Sequence, residues 1–157
     1  MIVKHLALML LIAGLTTCTA PVESRSDGDL VPQQDVAVVT FLSGIDTQTG
    51  TLILDAASWQ SAWGSIYANY AQKPALPAIN FDSTVVILAA AGTTPTQLYS
   101  FQIKEVRVSG ESLHVRVVGV WPTCGSLPVI TAPVHVVRVP RVATEAQFTF
   151  VRTGRCS

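Results

Sequence analysis

The sequence predicts an α+β domain: a curved antiparallel β-sheet or sandwich with one amphipathic helix packed on it. Three observations lead there. Valine is abundant and falls in short runs of strand character. Those runs are joined by short turns, which favours antiparallel pairing over crossover helices. One segment alone repeats its apolar residues at steps of three and four.

Taken in order, the first strand is expected over residues 36–42, then a turn-rich stretch over 43–50 and a short strand over 51–54. In the helix, Trp59, Ala62, Trp63, Ile66, Tyr67 and Tyr70 form one stripe. Asp55 or Ser58 can cap its start by accepting from a free backbone N–H. Lys73-Pro74 and Pro77 are expected to end it, because proline cannot continue a helix interior. Two Trp on one face pack against a sheet or, in the less favoured reading, stack on sugar rings. Residues 84–91 (TVVILAAA) are apolar on both faces and read as a central strand covered on both sides. Residues 99–109 and 112–121 form a hairpin around Ser109-Gly110. Tyr99, Phe101 and Ile103 share one parity and Val106 and Val108 the other, so a bulge near Lys104-Glu105 is expected to realign them. Strands over 134–139 and 147–152 complete the set.

The N-terminus gives an address. Lys4 and His5 precede an apolar run from Leu6 to Leu15, and small residues follow. That is an export signal, too short to cross a bilayer of roughly 30 Å as a helix. Leu15-Thr16-Thr17-Cys18 resembles a lipobox, with residues 1–17 removed and Cys18 acylated. The alternative is plain secretion after Ala20, which Pro21 obstructs. Residues 18–34 are polar, with Gly and Pro, and read as a flexible tether ahead of a single domain over 35–157. The three cysteines follow from this. Cys18 is lipidated or removed, which leaves Cys124 and Cys156, expected to form a disulfide in an oxidising compartment rather than to remain two unpaired thiols.

Composition excludes several classes of function. Charged residues are 13% of the chain and the net charge is zero, so no electrostatic case exists for nucleic acid. No Cys-x-x-Cys or Cys/His cluster suggests a metal, and no cofactor is expected. Gly-x-Ser-x-Gly is absent. His114 and His135 lie mid-strand, where a hydrogen-bonded or solvent-facing role outweighs general-base work. Asp82, Glu105 and Glu111 are scattered, so no glycosidase pair stands out. Arg107, Arg116, Arg138 and Arg141 could gather for an acidic partner, although a solvated face is the simpler reading. The best candidate for recognition is the segment Thr94-Pro95-Thr96-Gln97-Leu98, whose rival reading is an ordinary hairpin connection.

The order of pieces resembles the PrcB-type domain, the C-terminal domain family named after a subunit of a bacterial surface protease complex. The matching pieces are the helix with Trp59 and Trp63, and Pro77-Ala78-Ile79-Asn80-Phe81 leading into Val85-Val86-Ile87-Leu88. Gly92, Thr96, Tyr99 and Cys124 follow, then Ile130-Thr131-Ala132-Pro133-Val134-His135 and Val137-Arg138-Val139-Pro140-Arg141. The family's loop resembles Thr-Gly-Gly-Tyr, where this chain has Thr96-Gln97-Leu98-Tyr99 and loses easy access to positive φ. The resemblance implies a non-enzymatic, envelope-anchored accessory that binds or stabilises an exported partner such as a protease. Two rivals stand beside it: a protease inhibitor acting through Thr94 to Leu98, and a small enzyme built on His135 or His114.

Overall fold

The computed structural model describes residues 28–39, 41–125 and 128–156. The export signal, Cys18 and the first part of the tether lie outside the described residues. Among the described residues ten strands and one helix follow in the order β1 (Asp29–Leu30), β2 (Gln34–Val39), β3 (Gln48–Ile53), α1 (Ala56–Ile66), β4 (Thr84–Ala91), β5 (Thr94–Thr96), β6 (Ser100–Ser109), β7 (Ser112–Pro122), β8 (Pro128–Thr131), β9 (Val134–Pro140) and β10 (Glu145–Arg155). They build an outer sheet of order β1-β6-β7-β10, a middle sheet of order β2-β9-β4-β3, and a two-stranded β5-β8 ribbon.

The α+β class holds, in three layers. In β4, Val85, Ile87 and Ala89 face the outer sheet and pack with Ile103, Val115, Val117 and Val137. Val86, Leu88 and Ala90 face the helix and pack with Trp59, Trp63 and Ile66. A strand covered on both sides has no polar face to show, hence its unbroken apolar run. Every one of these six β4 residues is at most 2% exposed.

Asp55 caps α1: its carboxylate accepts from Ser58 N–H at 2.8 Å and Ser58 Oγ at 2.7 Å. These bonds favour the charged form and hold the Asp55 carboxyl below its usual range. The helix stops at Ile66, well before Pro74, which corrects the expected end. Gly44 N–H donates to the Ile66 carbonyl and Asn69 Nδ2 to the Ser43 carbonyl, so the neighbouring chain meets polar groups at this end of the helix. Pro74 and Pro77 serve differently: their carbonyls accept the indole N–H groups of Trp63 and Trp59, each at 3.0 Å. Trp59, Trp63, Ile66 and Tyr67 of the stripe are buried core, whereas Tyr70 at its far end is exposed.

The β6–β7 hairpin turns at Gly110, whose φ of +60° suits a residue without Cβ. Its register shifts between Ile103 and Glu105, where the parity change predicts a bulge. Two features differ from the expectation. Residues 28–34 of the expected tether are docked: Asp29 and Leu30 pair with Val108 and Arg107, Val31 is buried, and Gln34 opens β2. The outer sheet offers an edge that this segment completes. In addition, β10 pairs with β7 in parallel, from Glu145 opposite Ser112 to Arg155 opposite Pro122. The short 141–144 connection carries the chain from the middle sheet to the outer one, so its brevity does not imply pairing with β9.

Candidate functional site at the loop end of the sandwich

Several strand ends converge at one end of the two sheets: the ends of β2, β4, β7 and β10 and the starts of β3, β6 and β9. The recognition segment nominated by the sequence lies here, but as strand β5 rather than a projecting loop. Thr94 pairs with Thr131 of β8, and both are buried. Their hydroxyls stand 2.8 Å apart and both reach the Thr96 carbonyl, at 2.7 and 3.1 Å. Leu98 packs against the inter-sheet core. Only Pro95 and Gln97 of the five are exposed. Residues held by buried hydroxyls on one side and core packing on the other do not project into a cleft.

Cys124 and Cys156 are bridged, with Cα atoms 5.1 Å apart and a sequence separation of 32. Thr123 N–H donates to the Arg155 carbonyl at 3.0 Å beside the bridge. The last turn of chain is thus fixed to the end of β7. A bridge of this kind persists in oxidising compartments. Among the described residues no helix is long and apolar enough to cross a membrane.

Apolar side chains gather at this end without cover. Val38, Phe41, Leu42, Tyr99, Val129 and Ile130 are exposed, Ile130 by 64% and Val38 by 51%. Backbone bonds tie their segments together: Ala132 N–H donates to the Phe41 carbonyl and Ser43 N–H to the Ala132 carbonyl, while β8 carries Val129 and Ile130. Between Val38 and the Gln97-Leu98-Tyr99 turn runs a groove of about 210 Å³, floored by Phe101 and Pro133. Among the described residues no charged one lines it.

A second opening lies between the sheets. Gln48 and Ala91 line it from the middle sheet, and Phe101, Trp121, Phe150 and Arg152 from the outer one, around a volume of about 220 Å³. The parallel register sets Arg152 opposite Gly119. Because Gly119 lacks a Cβ, the Trp121 indole lies back across it, where a methyl group would overlap the ring. The Arg152 guanidinium then stacks on the indole at 4.5 Å, and Arg155 stacks on Tyr99 at 5.4 Å.

The remaining nominated residues are dispersed. His135 is buried between the sheets, and both ring nitrogens are engaged: Nδ1 accepts from Ile103 N–H at 2.9 Å, and Nε2 lies 3.1 Å from Asp35 Oδ1. An Nδ1 that accepts requires the proton on Nε2, which therefore donates to the carboxylate. The reason is topological. β1 is too short to reach Ile103, so that residue's edge N–H and carbonyl are met by His135 and by Gln33 Nε2. Burial pushes the His135 pKa down, and the Asp35 carboxylate opposes it. His114 lies on the outer sheet opposite Arg107. The four arginines do not form one patch: Arg107 meets Glu105 and the Gly28 carbonyl, Arg138 meets Gln34, Arg141 meets the Leu54 and Phe81 carbonyls, and Arg116 stands opposite Glu105.

No family model, curated protein or solved structure matches the chain. The site is therefore read from its own chemistry. Trp121, Arg152, Tyr99 and Arg155 escaped sequence reasoning because their meeting depends on the β7–β10 register. The one available signal was the parity of Trp121, which continues the inward series Leu113, Val115 and Val117 past the point where the core ends.

Proposed function

We propose that this chain is an exported, lipid-anchored accessory that binds another protein through the apolar end of its sandwich and carries out no turnover itself. The observation that carries the reading is the uncovered set Val38, Phe41, Leu42, Tyr99, Val129 and Ile130 around an uncharged groove. Single exposed apolar residues are ordinary, whereas six on segments bonded to one another mark a contact surface. The partner is an exported protein with an apolar contact face, since nothing in the groove offers it a charge. The PrcB-type resemblance points the same way, toward an accessory for an exported protease. The engagement of both His135 nitrogens supports a structural role for the most suggestive titratable group.

The test places a photo-crosslinking residue at position 130 and, as a control at the opposite end, at position 111, in intact cells. One discrete protein adduct is expected from position 130, lost when Val38 is replaced by Asp, and none from position 111. Equal adducts from both positions, or an adduct at 130 indifferent to Val38→Asp in a folded variant, overturns the surface. The anchor is checked separately by intact mass: an acyl adduct on Cys18 in the membrane fraction is expected. A chain beginning after Ala20 and free in the medium would refute it.

A further inference from the structure

We infer that the opening between the sheets beneath Trp121 is a binding site for an apolar group that ends in a carboxylate. Its chemistry differs from that of the neighbouring groove. Val117, Phe101, Phe150 and Ala91 form apolar walls, Trp121 supplies an aromatic face, and Arg152 stands at the rim. Among the described residues no acidic one lines the opening. The ion pairs among the described residues are Arg107–Glu105 and His135–Asp35, so the Arg152 guanidinium has none.

Stacking explains why this arginine is poised rather than merely exposed. The guanidinium carbon lies 4.5 Å from the indole centroid, a contact that occupies none of the in-plane N–H donors, and a guanidinium presents those donors as a fork that matches a carboxylate. Gly119 makes the stack possible by letting the indole lie flat. The ligand's size follows from the volume. A dry cavity of about 150 Å³ holds a benzene ring, and drug-sized ligands need about 300 Å³ or more. At about 220 Å³ the opening takes one phenyl or branched aliphatic group, with its carboxylate reaching Arg152 at the rim. Gln48, opposite, can donate to the second oxygen from its side-chain amide.

Two sources share that chemistry: the C-terminal residue of a polypeptide, and a small free acid such as 3-phenylpropanoate. Calorimetric titration of the full folded chain with 3-phenylpropanoate, with a hexapeptide ending in Phe, and with its C-terminal amide separates them. Saturable binding of both acids is expected, with the amide weaker by about tenfold or more, since a charged hydrogen-bonded pair is lost. A peptide acid that binds at least tenfold tighter than 3-phenylpropanoate assigns the site to a polypeptide end; otherwise small acids are its ligands. Arg152→Gln should weaken the acids about tenfold with only a small loss of melting temperature, and Ala91→Phe should abolish binding by filling the opening. Equal binding of acid and amide, no saturable binding of either acid, or full affinity in Arg152→Gln overturns the inference. Val38→Asp should leave acid binding intact, so failure of the partner surface and failure of this site are distinguishable.

Discussion

Two aromatic clusters in this chain use the same residue types to different ends. Under the helix, Trp59 and Trp63 meet edge to face at 5.1 Å, and Tyr67 follows at 4.6 Å. Both indole N–H groups are satisfied by proline carbonyls. At the loop end, Trp121 and Tyr99 are partly exposed and each carries an arginine on its face. The first cluster has its indole donors satisfied within the chain. The second has not, and unsatisfied binding capacity beside an open cleft is what a recognition surface requires. An aromatic residue becomes informative about function when its polar neighbours lack partners, rather than by its size.

The largest expected effect tests the first half of that contrast. Trp63→Ala removes a buried indole and its hydrogen bond to the Pro74 carbonyl, at about 3 to 5 kcal/mol. For a domain of ordinary marginal stability that is a large share of the total. Thermal or urea unfolding should show it directly. A variant that melts near the wild-type temperature would mean that the helix cluster is not core, and the contrast would collapse.

Next in size is the bridge that fixes the loop end. Replacing Cys124 and Cys156 by Ser opens a loop whose ends are separated by 32 in sequence, for which the chain-entropy treatment gives roughly 3 to 4 kcal/mol. Unfolding of the double variant should be shifted accordingly. Hydrogen exchange should loosen first near Thr123 and Arg155, with protection under the helix retained. Uniform loss of protection would mean that the two ends are not independent regions.

His135 lies between the two regions and gives the pH signature. Its folded pKa is depressed, chiefly by burial, against an unfolded value of about 6.5. Below that value the unfolded chain binds more protons than the folded one. The stabilising contribution is thus fully present above about pH 6.5 and is lost as pH falls toward and through the folded value. Protonation would also set an N–H against the Ile103 N–H it now accepts. Melting temperature should therefore fall on mild acidification, and His135→Gln should flatten that slope. An unchanged slope in the variant would place the titration elsewhere.

How much of this was legible in the sequence depended on the range of the interactions involved. Residues 84–91 announce a doubly covered strand because burial on two faces leaves no polar position, and the parity change at Lys104-Glu105 announces its bulge. Both are local. The helix end was misplaced because a proline eight residues beyond Ile66 is visible, whereas the Gly44 N–H that meets the Ile66 carbonyl comes from a distant turn. The parallel β10 was hidden because a short connection between sheets looks like a hairpin. The candidate site suffered most. Thr94 reads as a loop residue until Thr131 supplies its buried partner, and Arg152 reads as a solvated charge until the register brings it beside Trp121.

The smallest expected effect sharpens the second half of the contrast. Arg152 is exposed and interacts chiefly through the face of Trp121. Cation–π stacking at exposed sites is worth about 0.5 to 1 kcal/mol, so Arg152→Gln should cost no more than that. Arg155→Gln, which removes the stack on Tyr99, should behave alike. Trp121→Ala should fall between these and Trp63→Ala, because part of the indole is already in water while the rest covers Gly119. The order Trp63, Trp121, Arg152 in loss of melting temperature is the outcome the structure requires. If Arg152→Gln destabilised the fold as much as Trp63→Ala, the arginine would be holding the sheets together and would have no binding capacity left to offer a ligand. A small loss leaves its planar fork available, and a fork held on an aromatic face loses little further freedom when it binds a carboxylate.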